Sequence, residues 1–173
     1  DFHGNLKPPQ GGVRIRDPQD ASKTVNVAAG GAEHLATAVR ELRARNANHI
    51  FVAAGDLVGA TPLLSALFHD EPTIESMNAM GLEASAVGNH EFDKGSAELL
   101  RLQRGGCASG GCKGPQTYAG ARFNYLAAST VDTRSGKTLL PPYHVKRFEG
   151  VPVAFIGLTL KDTPTIVVPS GVA

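Results

Sequence analysis

Glu83-Ala84-Ser85-Ala86-Val87-Gly88-Asn89-His90-Glu91-Phe92-Asp93 begins as an apolar run, stops at a glycine, and then presents Asn, His, Glu and Asp within five residues. Short apolar runs closed by glycine are how buried strands read. Two further segments follow the pattern. Ile50-Phe51-Val52-Ala53-Ala54 leads into Gly55-Asp56, and Val151-Pro152-Val153-Ala154-Phe155-Ile156 leads into Gly157-Leu158-Thr159. Helical stretches lie between them. The clearest runs from Ala32 to Asn46, where Leu35, Val39 and Leu42 form one stripe and Glu33, Arg40, Glu41, Arg43 and Arg45 fill a solvated face. A second covers Pro62 to Met80 with a break expected near Pro72, and a third covers Ser96 to Arg104. Strands are also expected at Phe123–Ser129, Tyr143–Phe148 and Val151–Thr159, with Glu149-Gly150 as a hairpin turn. Alternating strand and helix makes the chain α/β with its strands inside.

Composition narrows the function. The chain has 173 residues, 42% hydrophobic and 19% charged, enough to bury one core. Seventeen basic against sixteen acidic residues give a formal charge of +1, which offers no case for a nucleic-acid polymer or an anionic membrane as partner. No apolar run approaches the ~18 residues of a membrane span. Residue 1 is Asp with no leader-like segment before it, so the chain is read as an excerpt of a longer protein.

In α/β sheets, ligands bind beyond the carboxyl ends of the strands. The polar groups expected there are Asp56, Asn89 and His90, joined by Asp1 and His3 at the terminus. Carboxylate, imidazole and amide donors in one place suit Zn, Mn, Fe or Co better than Ca or Mg. Asp1 and His3 lie two apart, so an extended segment would aim both at one ion. Asp56 has two oxygens with which to bridge two ions, and Asn89 would hold the second. Such a pair activates a water and clamps the oxygens of an in-line phosphoryl displacement. His90, directly after a ligand, is expected to face the substrate, with Asp93 one helical turn on to orient its ring. Glu91 is read as structural, a helix-start residue.

Asp1-Phe2-His3-Gly4-Asn5, Gly55-Asp56 and Gly88-Asn89-His90-Glu91-Phe92-Asp93 resemble, in order and spacing, the first three motifs of the calcineurin-like metallophosphoesterases. The segment from Gly114 to Phe123 is similar to bacterial members of the 5′-nucleotidase branch, which includes UDP-sugar hydrolases and 2′,3′-cyclic-nucleotide phosphodiesterases. The resemblance implies a β-sandwich flanked by helices (αββα layers). It implies two divalent metal ions on Asp1, His3, Asp56 and Asn89, a catalytic dyad of His90 and Asp93, and a small nucleotide held partly by Asn89 and His90. The family's first strand would precede Asp1, and its later His and Gly-His-x-His ligands find no match after Asn89. Residues 1–173 are therefore expected to be the N-terminal part of a catalytic domain, with the remaining ligands and a C-terminal substrate-binding domain beyond it.

Isolated, each motif has a plainer reading: Gly-Asp as a turn, Asp1-x-His3 as a frayed end. Their combination carries the weight. His34, His49, His69 and His144 are read as structural or surface residues. Cys107 and Cys112 lie in a loop from Gly105 to Gly120 that holds six glycines, and no Cys or His pair nearby completes a metal site. A local disulfide is the favoured reading, and with the resemblance it points to the periplasm or exterior. The expected function is metal-dependent hydrolysis of nucleotide phosphoesters, 5′-nucleotidase-like. Cyclic-nucleotide, nucleotide-sugar and thiosulfate-ester chemistries stay open beside it, as does a non-catalytic metal-binding or interaction module.

Overall fold

The computed structural model describes residues 1–114, 116–168 and 172. The chain forms two compact units, one of residues 5–47 and the other of residues 1–4 with 48–173. The smaller contains a hairpin of β1 (Val13–Arg16) and β2 (Thr24–Val27), in antiparallel register from Val13↔Val27 to Arg16↔Thr24, followed by helix α1 (Gly31–Arg45). The hairpin was not expected from the sequence. All four β1 residues are exposed, so no buried face wrote an alternation into it. In α1, Val39 is buried while Leu42 remains 59% exposed, so the apolar stripe is only partly used.

The larger unit is built on a parallel sheet in the order β3 (Val52–Ala53), β4 (Ala84–Ala86), β5 (Asn124–Leu126). Helices α2 (Leu63–Ala66) and α3 (Glu71–Met80) connect β3 to β4, and α4 (Gly95–Arg104) lies between β4 and β5. The break in the second helical region falls at residues 67–70, where His69 and Asp70 take φ of 52° and 65°. This is the break expected near Pro72, and Pro72 itself sits in the first turn of α3, where its missing N–H leaves no hydrogen bond unmade. Gly81 ends α3 at φ 73°, with Gly81 N–H on Asn78 O and Leu82 N–H on Met77 O. This glycine-closed Schellman end turns the chain directly into β4.

β6 (Tyr143–Phe148) and β7 (Val151–Ile156) form the expected hairpin, with Glu149 and Gly150 both at positive φ. The core lies around the parallel sheet: Ile74 and Met77 from α3, Leu99 and Leu102 from α4, and Val87, Phe123, Tyr125 and Leu126 from the strands and their ends. Each such side chain contributes about 1.5–3 kcal/mol by leaving water. Because the strands are parallel, the loops after β3 and β4 leave the sheet at the same end, beyond the strands' carboxyl termini. Asp56 and Asn89-His90 are therefore brought to one place.

Candidate metal and phosphoester site

The loops after β3 and β4 approach at backbone distance. A Cβ on Gly55 would sit 2.5 Å from the Gly88 nitrogen, and one on Gly88 would collide with the Asp56 carboxylate. Glycine is required at both positions by this closeness. Residues 1–4 are stitched to the same loop: His3 N–H donates to Asp56 O at 3.0 Å and Gly4 N–H to Leu57 O at 2.9 Å. The segment is not extended as the spacing argument supposed, since His3 has φ 48°. The turn and its main-chain bonds, rather than strand alternation, bring Asp1 and His3 together.

Donor atoms of Asp1, His3 and Asp56 all lie within 4.8 Å of one another, Asp1 exposed and the other two half-buried. His3 Nδ1 is 2.9 Å from Gly59 O, so this nitrogen carries the proton and donates. Nε2 then faces Asp1 Oδ1 at 3.9 Å, as a metal-ligating imidazole braced through its other nitrogen would. This oxygen and nitrogen set fits a first-row divalent ion. Asn89 opens the single 3₁₀ turn His90–Phe92, and His90 N–H donates to Asp56 Oδ1 at 3.0 Å.

The same turn places Asp93 against His90, with Oδ2 2.7 Å from Nδ1. The Asp93 hydrogen bond holds the His90 pKa above its ordinary value; partial burial opposes it, and the Asp93, Asp56 and Glu91 charges add to it. The His3 and His90 rings meet edge to face with centroids 4.8 Å apart, joining the ligand cluster to the dyad. Gly59 lies between them, its carbonyl on His3 and its α-carbon against His90 and Asp93. A cavity of about 220 Å³ behind the dyad is lined by Gly59, Thr61, His90, Asp93 and a Lys94–Asp70 ion pair of 3.0 Å. A larger one, about 690 Å³, lies along Phe92, Leu100, Thr159 and Leu160 and touches none of the candidate ligands.

Glu91 is more than a helix-start residue. Its side chain is buried, Oε2 accepting Asp56 N–H at 2.9 Å and Gly88 N–H at 2.7 Å while Oε1 accepts Leu57 N–H at 2.8 Å. Burial pushes its carboxyl upward against the pull of these donors. The only sequence signal was an acid wedged between His90 and the apolar Phe92. Cys107 and Cys112 are joined by a disulfide in the glycine-rich loop.

No family model matches the chain. It is 45% identical over 156 residues to an uncharacterized Acinetobacter calcoaceticus protein encoded in the pqq-V 5′ region, covering 87% of this chain and 76% of that one. It is 38% identical to endonuclease YhcR of Bacillus subtilis (88% of this chain, 12% of that one) and 32% identical to the 5′-nucleotidase of Vibrio cholerae (73% and 20%). Among solved structures, NAD nucleotidase of Haemophilus influenzae superposes with a TM-score of 0.72 at 26% identity over 94% of this chain and 26% of that one. The 5′-nucleotidase precursor of Thermus thermophilus gives 0.66 at 28%, covering 94% and 28%. The calcineurin-like phosphoesterase YfkN of Bacillus subtilis shares the fold, with a TM-score of 0.63 over 96% of this chain and 48% of that one. The chain belongs to the calcineurin-like metallophosphoesterases, in their 5′-nucleotidase branch. It spans only 12% of the endonuclease and 20% of the Vibrio cholerae 5′-nucleotidase.

Proposed function

We propose that residues 1–173 are the N-terminal part of a catalytic domain that hydrolyses nucleotide phosphoesters, working in the periplasm or outside the cell. The observation that carries the reading is the convergence of Asp1, His3 and Asp56 donors within 4.8 Å, next to a His90–Asp93 pair. Relatives and neighbours named nucleotidases support the substrate class, and a disulfide suits an oxidising compartment.

Asp1, His3 and Asp56 would hold one divalent ion, and Asp56 with Asn89 a second. Such ions, when bound, supply an activated water and neutralise phosphoryl charge. The remaining work falls to the chain's own side chains. Asp93 accepts from His90 Nδ1 and favours the protonated ring, which leaves an Nε2 proton to offer. From there His90 stabilises a phosphoryl oxygen or protonates the leaving alkoxide. Asn89, beside it, orients the substrate.

The test is the metal content of the longer protein, which carries the remaining ligands, after dialysis against Mn²⁺ or Zn²⁺, with Asp56→Ala as the comparison. Specific uptake of about two ions, lost in the variant, supports the site. Uptake equal in both sinks it. Turnover of AMP, a nucleotide sugar, a 2′,3′-cyclic nucleotide and a polynucleotide by the longer protein, each with His90→Ala, then selects the substrate. Turnover that survives His90→Ala removes the dyad from the mechanism.

A further inference from the structure

The ladder between β3 and β4 is two residue pairs long, Val52↔Ala84 and Ala53↔Ser85. The ligand-bearing loops start immediately beyond it, and across that gap the Glu91 carboxylate bonds to both. It takes two N–H groups from the first loop (Asp56, Leu57) and one from the second (Gly88), at 2.7–2.9 Å. Buried amides need partners, and here one side chain supplies all three. Glu91 itself stands in the turn between His90 and Asp93, so it also ties the dyad to the loop of Asp56. A side chain confined to filling the core would not need two oxygens aimed at three amides on two separate loops.

We infer that Glu91 is a positioning residue, whose carboxylate sets the spacing of Asp56, Asn89 and His90 and thereby the metal affinity of the site. The inference rests on the proposed metal function. Partners one shell away from metal ligands typically change affinity 10–100-fold when replaced. Glu91→Gln keeps the shape but turns one acceptor into an NH₂ group. With the amide oxygen on Asp56 and Gly88, that NH₂ faces the Leu57 N–H, donor against donor.

The experiment is Mn²⁺ titration of the longer protein, with its remaining ligands present, followed by electron paramagnetic resonance, beside thermal melts. Asn78→Ala serves as the stability control, because Asn78 likewise clamps backbone elsewhere, at Gly120 O and Arg122 N–H. Glu91→Gln is expected to melt cooperatively and to raise the Mn²⁺ Kd at least about tenfold with an altered bound-Mn²⁺ spectrum, while Asn78→Ala leaves both unchanged. If Glu91→Gln fails to fold, Glu91→Asp, which keeps the charge but withdraws it by one methylene, is expected to show the same rise. An unchanged Kd and spectrum in whichever variant folds, with Asp56→Ala deficient, overturns this inference and leaves the proposed function standing. Wild type that takes up no Mn²⁺ overturns both.

Discussion

Replacing Gly59 by alanine tests whether the dyad and the ligand cluster are one packed object. Gly59 has φ +86°, and an added Cβ would lie 2.5 Å from His90 Cβ and 2.7 Å from Asp93 Oδ2. Its carbonyl also receives His3 Nδ1. The left-handed backbone costs an alanine about 1–2 kcal/mol, and wedging a methyl into packed atoms costs about 1–3 kcal/mol. Together these give about 3 kcal/mol, which lowers Tm by roughly 6–12 °C in a domain of this size. Gly136→Ala, in the same unit, separates the two contributions, since Gly136 has φ +68° and nothing within 4 Å of its would-be Cβ. It should show the backbone cost alone. In the longer protein, His90 pushed about 1 Å from its place is expected to lower kcat on the order of a hundredfold. A Gly59→Ala melt within about 2 °C of Gly136→Ala would show that the dyad yields freely and would refute the reasoning.

Tyr125 is fully buried with its ring edge-on to Phe123 at 5.1 Å, and its hydroxyl has no partner among the described residues. An unsatisfied buried hydroxyl costs about 1–3 kcal/mol, so Tyr125→Phe is expected to be at least as stable in urea unfolding; a loss of about 1 kcal/mol or more would contradict this. Glu149 holds φ 49° ahead of Gly150 in a two-residue hairpin turn, a position that favours asparagine. Glu149→Asn is expected to raise stability by about 1 kcal/mol, read as a Tm increase of roughly 2–4 °C, and an unchanged or lower Tm would contradict it.

What the sequence made legible was local. Apolar runs closed by Gly55 and Gly88 announced strand ends, because glycine there answers to a close backbone approach that any reader of the chain can anticipate. The spacing of His90 and Asp93 announced a pair that only needed one helical turn to meet. What escaped was settled by partners far along the chain. The side-by-side placement of Asp1 and His3 was expected for the wrong reason: a left-handed turn and hydrogen bonds to residues 56 and 57 achieve it, not an extended strand. The break near Pro72 was legible, but its backbone was not: His69 and Asp70 make it with a positive φ that no pattern of side chains reveals.

Glu91 shows the limit most clearly. Its three amide partners are contributed by Asp56, Leu57 and Gly88, two of them more than thirty residues away. Nothing in Asn-His-Glu-Phe distinguishes a carboxylate that will meet solvent at a helix start from one that will be buried as an acceptor. Only the parallel pairing of β3 with β4, which sends both loops off the same end of the sheet, turns that acid into the connection between them. Candidate ligands can therefore be read from motifs, whereas the distances between them depend on main-chain groups that motifs do not encode. It follows that substitutions at Glu91 and Gly59, which are not among the candidate ligands, should disturb the site more than substitutions at His34, whose Nδ1 bonds Gly30 O in the smaller unit.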